Sequence, residues 1–153
     1  MRRIISMLME NEPGALSRVV GLFSQRGYNI ETLNVAPTND PTLSRLTLTT
    51  AGDDLRIEQL TKQLNKLINV LKIVELEPAT SVQREFMLVK VRADATTRSH
   101  VLETVALFRA GVVDVAPEAV TIEVTGSRDK LDALLRVLEP FGIRELVKSG
   151  SVA

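Results

Sequence analysis

The chain has 153 residues, carries 19 basic and 19 acidic side chains, and contains no cysteine. A zero net charge with only 3% aromatic residues argues against a nucleic-acid-binding surface, which needs basic groups and stacking rings. Disulfides and thiol chemistry are excluded, no apolar run reaches the roughly 18–20 residues of a membrane span, and the N-terminus does not resemble a signal peptide. We therefore expect a cytoplasmic protein of one domain or two small ones.

The first half of the chain predicts the order β-α-β-β-α-β. Apolar and alternating runs predict strands over residues 3–9, 29–36, 43–50 and 70–76. A first helix is predicted between Gly14 and Gly27, with Asn11 as its N-cap, and a second opens at 52–54. The apolar face of the first helix has the spacing i, i+3, i+4, i+7, and is predicted to comprise Leu16, Val19, Val20 and Phe23.

The second half repeats this pattern. Strands are predicted over 86–91, 112–115, 120–125 and 143–147, with one helix over 99–108 and another around 131–138. In the first of these helices Leu102 is expected to face inward, and Gly111 is expected to end it as Gly27 ends its counterpart. The chain is thus predicted to be α+β, with two tandem ferredoxin-like modules over 1–78 and 79–153, each an antiparallel sheet with two helices on one face.

A four-stranded module of this size leaves sheet edges and one sheet face open to water. Unpaired edges and exposed apolar sheet both favour association with another copy. We therefore expect a homodimer, formed either edge to edge or face to face.

The sequence offers few residues for catalysis. His100 is the only histidine and stands at a polar helix start, so neither a catalytic triad nor a metal site is predicted. Phosphate-binding loops and the G-x-G-x-x-G pattern are absent, so no cofactor-binding residue is predicted. The carboxylates at 53, 54 and 58 are explained by helix capping. Glu10 and Glu12 flank the first turn and leave a small enzyme with an acid pair as an alternative.

A binding site has better support. Glycine in a first helical turn lets a ligand approach the free amides at the positive end of a helix, which suits a carboxylate. Asparagine oxygens would take an ammonium group, and short aliphatic side chains would enclose an aliphatic one. These considerations single out Asn11, Gly14, Ala15, Leu16, Asn29, Ile30 and Leu33. We expect the end of the first strand, the start of the first helix and the start of the second strand to lie together.

A plainer interpretation remains open. Gly14 can serve only to ease the turn from strand to helix, and both asparagines can serve turns and caps. The residues alone do not decide between these interpretations.

The segment NEPGALSRVVGLFSQRGYNIE, at residues 11–31, closely resembles the ACT domain of the small regulatory subunit of acetolactate synthase (acetohydroxyacid synthase). The segments PTLSR at 41–45 and EFMLVK at 85–90 resemble the same family. The resemblance implies a non-catalytic subunit with an ACT domain over 1–78 and an ACT-like domain over 79–153. It implies that thiamine diphosphate, Mg and FAD belong to the large catalytic subunit, its partner.

The resemblance also implies a role in branched-chain amino-acid biosynthesis. Such a subunit raises the activity of the catalytic subunit and makes it sensitive to feedback inhibition by valine. The implied valine site lies between the ACT domains of a homodimer, with Asn11, Gly14, Ala15 and Leu16 from one chain and Asn29 and Ile30 from the other. The alternative is a stand-alone amino-acid-binding effector module of another enzyme or regulator.

Overall fold

The structure, a computed structural model, describes residues 2–153. Its first half contains the predicted order of elements, with two helices inserted among four strands. The strands are β1 (Arg2–Glu10), β2 (Ile30–Pro37), β3 (Leu43–Ala51) and β4 (Val70–Leu76). The helices are α1 (Ala15–Arg26) and α2 (Asp54–Leu64).

The second half repeats that order, so the prediction of two ferredoxin-like βαββαβ modules is confirmed. Its strands are β5 (Arg84–Arg92), β6 (Gly111–Ala116), β7 (Ala119–Gly126) and β8 (Ile143–Val152). Its helices are α3 (Arg98–Leu107) and α4 (Arg128–Leu138), and a 3-10 turn, Glu139–Phe141, follows α4.

The chain divides into two compact units. The first comprises the chain up to Val82 together with Ser151–Ala153, and the second is Gln83–Gly150. Within the first unit, the Asn34 amide donates to the Ser151 carbonyl at 2.9 Å, and Arg2 Nη2 donates to the Ser151 hydroxyl at 2.6 Å. These bonds account for the place of the last residues in the first unit.

The sheet of the first unit has the strand order β2-β3-β1-β4, with every neighbouring pair antiparallel. Every second side chain of β1 and β3 faces the helices, because side chains alternate between the two faces of a strand. Apolar residues occupy those positions. The resulting core consists of Ile5, Met7, Met9, Ala15, Val19, Phe23, Leu46, Leu48, Ile57, Leu60 and Leu64. Strands β2 and β4 form the two edges of this sheet.

The sheet of the second unit has the corresponding order β6-β7-β5-β8. Its core is built in the same way from alternate residues of β5 and β7 and one face of each helix. It includes Met87, Val89, Val91, Val101, Val120, Ile122, Val124, Leu131, Leu134 and Leu138.

The start of α1 differs from the prediction in two respects. Gly14, not Asn11, is the N-cap residue, and Leu16 is 38% exposed, whereas it was predicted to belong to the apolar face. Residues one position apart on a helix point about 100° away from each other. The buried face therefore follows Ala15, Val19 and Phe23, which leaves Leu16 at its margin.

The end of α3 also differs from the prediction. This helix stops at Leu107, so the left-handed backbone position falls on Arg109, with φ +54°, and Gly111 is already the first residue of β6. Leu102 is 42% exposed, because α3 buries Val101, Thr104 and Val105 instead.

Candidate functional site

The predicted site begins at the corner between β1 and α1, which we define as residues 11–16. Gly14 caps the helix without any side-chain hydrogen bond, and the Ala15 amide donates to the Glu12 carbonyl at 3.2 Å. Within residues 2–153, no acceptor is found for the amides of Gly14 and Leu16. The corner thus presents two free amides; the third one predicted, that of Ala15, is engaged.

Gly14 has a backbone reason to be glycine. Its φ of +84° lies in the left-handed region, where other residues are strained. A Cβ built at this position would meet no protein atom within 4 Å. The positive φ accounts for the glycine without any ligand, and the open space in front of it leaves room for one.

Asn11 holds the corner against the turn between β2 and β3. Its backbone amide donates to the Thr42 carbonyl at 2.7 Å, and its side-chain Nδ2 donates to the Pro41 carbonyl at 3.0 Å. Its Oδ1 accepts no hydrogen bond from the residues that the structure describes. The side chain is therefore fixed in orientation with an acceptor still available.

Asn29 and Ile30 lie at the other end of the sheet. In the strand register Ile30 is opposite Thr50, which is opposite Arg3, whereas the corner follows Glu10, seven residues further along β1. At 3.3 Å per residue this separates them by about 23 Å. The prediction that one chain brings both sets together is wrong, because α1 carries the chain back along the sheet before β2 begins.

A buried polar residue that was not predicted from the sequence lies beside the corner. Asn69, which is 5% exposed, accepts a hydrogen bond from Arg18 Nη1 through its Oδ1 and donates from Nδ2 to Glu12 Oε2 at 3.4 Å. Its carbonyl also accepts from the Glu10 amide at 2.8 Å. The sequence feature that could have indicated a buried polar residue here is the single asparagine within the otherwise apolar run of residues 67–71.

The second unit closes its equivalent corner with its own side chains. Arg98 Nη2 donates to the carbonyls of Ala116 and Pro117 at 2.8 and 2.9 Å. Asp94 accepts from the backbone amides and the hydroxyls of Thr96 and Thr97. Hydrogen bonds from Thr96, and then from the Thr97 amide, lower the pKa of Asp94 from 3.8 to about 2.

Other features of the structure lie away from the predicted residues. A cavity of about 440 Å³ in the first unit is lined by Asn34, Arg45, Thr47 and Val152, among others, and by none of the predicted site residues. No group of three or more potential metal ligands occurs among residues 2–153, and His100 is exposed at the start of α3. Over the same residues, no helix combines the length and apolar character that crossing a membrane requires.

Comparison with known proteins places both halves in one family. Residues 5–72 match the family described as the small-subunit-like ACT domain of AHAS (acetohydroxyacid synthase), and residues 84–153 match the family described as the small subunit of acetolactate synthase. Acetolactate synthase small subunits are similar over nearly the whole chain. That of Mycobacterium bovis is 58% identical over 97% of this chain and 89% of its own.

Two further comparisons agree. The small subunit of acetolactate synthase isozyme 3 from Escherichia coli is 52% identical over 99% of this chain and 94% of its own. The crystal structure of the small subunit from Thermotoga maritima superposes with a TM-score of 0.91 at 37% identity, covering 99% of this chain and 95% of that one. With two sheets of the ACT type and this similarity along its whole length, the chain belongs to the family of acetolactate synthase small subunits, the regulatory rather than catalytic subunits of that enzyme.

Proposed function

We propose that this chain activates the large, thiamine-diphosphate-dependent catalytic subunit of acetolactate synthase and makes it sensitive to valine. The proposal places the chain in the biosynthesis of branched-chain amino acids. The observation that carries it is the pair of free amides of Gly14 and Leu16 at the start of α1, together with the open space beside Gly14.

The chemistry of the corner suits an uncharged-overall amino acid. Two amides at the positive end of a helix can donate to a carboxylate, and the free Oδ1 of Asn11 can accept from an ammonium group. Leu16, which is 38% exposed, offers apolar surface for an aliphatic side chain. Valine presents these three groups on one carbon.

Asn29 and Ile30 join this site only if two chains associate. Strand β2 is a free edge of the first sheet. Two copies of β2 related by a two-fold axis run antiparallel, so the start of one lies level with the end of the other. Pro37, at the end of β2, is in register with Ser44 and hence with Met9, close to the corner.

A β2-to-β2 homodimer therefore brings Asn29 of one protomer to the same end of the combined sheet as Gly14 of the other. Pairing through the β4 edges would instead leave β2 on the outer margins of the sheet, remote from the second corner. This difference favours the β2 edge as the dimer interface. Valine held between the protomers would then favour one arrangement of the dimer, and it can inhibit only to the extent that it discriminates between arrangements.

Isothermal titration of valine into the purified chain, beside the variant Gly14→Asp, tests the site. The introduced carboxylate would repel the ligand carboxylate, so binding should be lost. The left-handed backbone at Gly14 strains an aspartate, but an acidic group at a helix N-terminus offsets part of that cost, so the protein should still fold. Equal affinity in the two proteins would remove this corner from consideration.

An activity assay of the catalytic subunit with and without this chain, and with and without valine, tests the regulatory role. Activation that valine reverses is expected, together with capture of the catalytic subunit by the tagged chain. A chain that binds valine but neither captures nor activates the catalytic subunit would instead be a stand-alone effector module.

A further inference from the structure

The buried residue Asn69 connects three parts of the first unit through its main-chain carbonyl and its side chain. It lies in the segment between α2 and β4, and its main-chain carbonyl holds the last residue of β1 through the Glu10 amide. Its side chain contacts Glu12, within the corner, and Arg18, on α1. Asn69 is thereby linked to both sides of the two free amides without being one of the predicted ligand residues.

Asn11 fixes the first residue of the corner, but no side chain caps its other end. Gly14 provides no side-chain cap, and glycine has more backbone freedom than any other residue. The Ala15 amide is directed by the carbonyl of Glu12, the same residue whose side chain Asn69 holds. Because an amide is a donor and an acceptor at once, Asn69 can receive from Arg18 and give to Glu12, which neither an aspartate nor an aliphatic side chain can do.

We propose that Asn69 is a positioning residue for the effector site: by holding Glu12 on one side of the corner and Arg18 on the other, it orients the free amides of Gly14 and Leu16. This inference rests on the proposed function, since it assigns Asn69 a part in valine binding. A side chain that does not touch the ligand can still change its affinity, because it holds the binding groups in place. A small displacement of those groups is enough to weaken binding.

The substitution Asn69→Asp separates the two side-chain contacts. The new carboxylate keeps its acceptor for Arg18, loses the donor to Glu12 and repels the Glu12 carboxylate. Losing one hydrogen bond to a charged group at the corner should weaken valine binding about tenfold. The variant Asn65→Asp makes the same chemical change at an exposed position at the end of α2, and should bind valine as the parent does.

The double variant Glu12→Gln/Asn69→Asp provides the decisive comparison. Here the introduced amide at position 12 can donate to the introduced carboxylate at 69, so the bond returns with its polarity reversed. The valine affinity of the double variant should therefore differ from that of the single variant Glu12→Gln by less than about twofold. A general loss of stability would not be rescued in this way.

Isothermal titration of valine into all five proteins, each checked for cooperative thermal unfolding, gives the outcome. A tenfold loss in Asn69→Asp that disappears in the Glu12→Gln background supports the proposal. Unchanged affinity in Asn69→Asp, or a loss that persists in that background, overturns it. Failure of the unsubstituted chain itself to bind valine refutes instead the proposed function, so the two failures are distinguishable.

Discussion

Two left-handed glycines flank α1, and replacing each in turn by alanine tests what Gly14 does. Gly14 has φ +84° and Gly27 has φ +71°, and a Cβ at either position would meet no protein atom within 4 Å. Left-handed backbone costs a non-glycine residue about 1–2 kcal/mol, partly offset because alanine restricts the unfolded chain. Each variant should therefore lose about 1 kcal/mol of unfolding free energy in urea titrations.

Valine affinity should distinguish these two variants. At Gly14 the added methyl group enters the open space beside the free Gly14 amide. Gly27 lies at the opposite end of α1 in the same chain and is not one of the residues assigned to the site. Displacing the ligand carboxylate from one amide removes a charge-assisted hydrogen bond of about 2 kcal/mol, or roughly a 30-fold loss of affinity.

Isothermal titration of valine into both proteins measures this difference. Gly14→Ala should bind valine roughly 30-fold more weakly, and Gly27→Ala should match the parent. If both variants lose stability equally and both bind valine like the parent, then Gly14 serves only the turn, and the assignment of its amide to a carboxylate is wrong.

Three further predictions concern other parts of the chain. Because its pKa is lowered in the folded protein, Asp94 contributes stability above pH 3.8 that is lost as the pH falls toward about 2. Asp94→Asn should lose this part of the acid dependence in thermal melts, and an unaltered pH profile would show that the hydrogen bonds from Thr96 and Thr97 do not stabilise the carboxylate. Arg98→Ala removes the side-chain donor to the main-chain carbonyls of Ala93, Ala116 and Pro117 and should lower the unfolding free energy by about 1–3 kcal/mol in urea, with no effect on valine affinity. Phe23→Ala should cost about 3–5 kcal/mol, whereas Leu16→Ala should cost under about 1 kcal/mol and weaken valine binding severalfold; equal losses of stability would show that Leu16 belongs to the core after all.

Much of the fold could be predicted from local patterns. Alternating residues in β3, and residues four apart in α1, give the type of each element, because side chains repeat every two residues on a strand and every 3.6 on a helix. The repeated order of elements then indicated two modules of one kind. Element ends were less predictable, as Leu16 and Gly111 illustrate, since caps depend on where the chain turns after packing.

Local sequence patterns were therefore enough to establish the kind of module, the family motif at residues 11–31, and the corner that can present free amides. The packing of the fold, by contrast, placed Asn69 beside that corner and set Ile30 about 23 Å from it along the sheet. These placements depend on strand register and on contacts between residues more than 50 positions apart, such as Glu12 and Asn69. Such contacts arise when sheet and helices pack together, and no local spacing of residues specifies them.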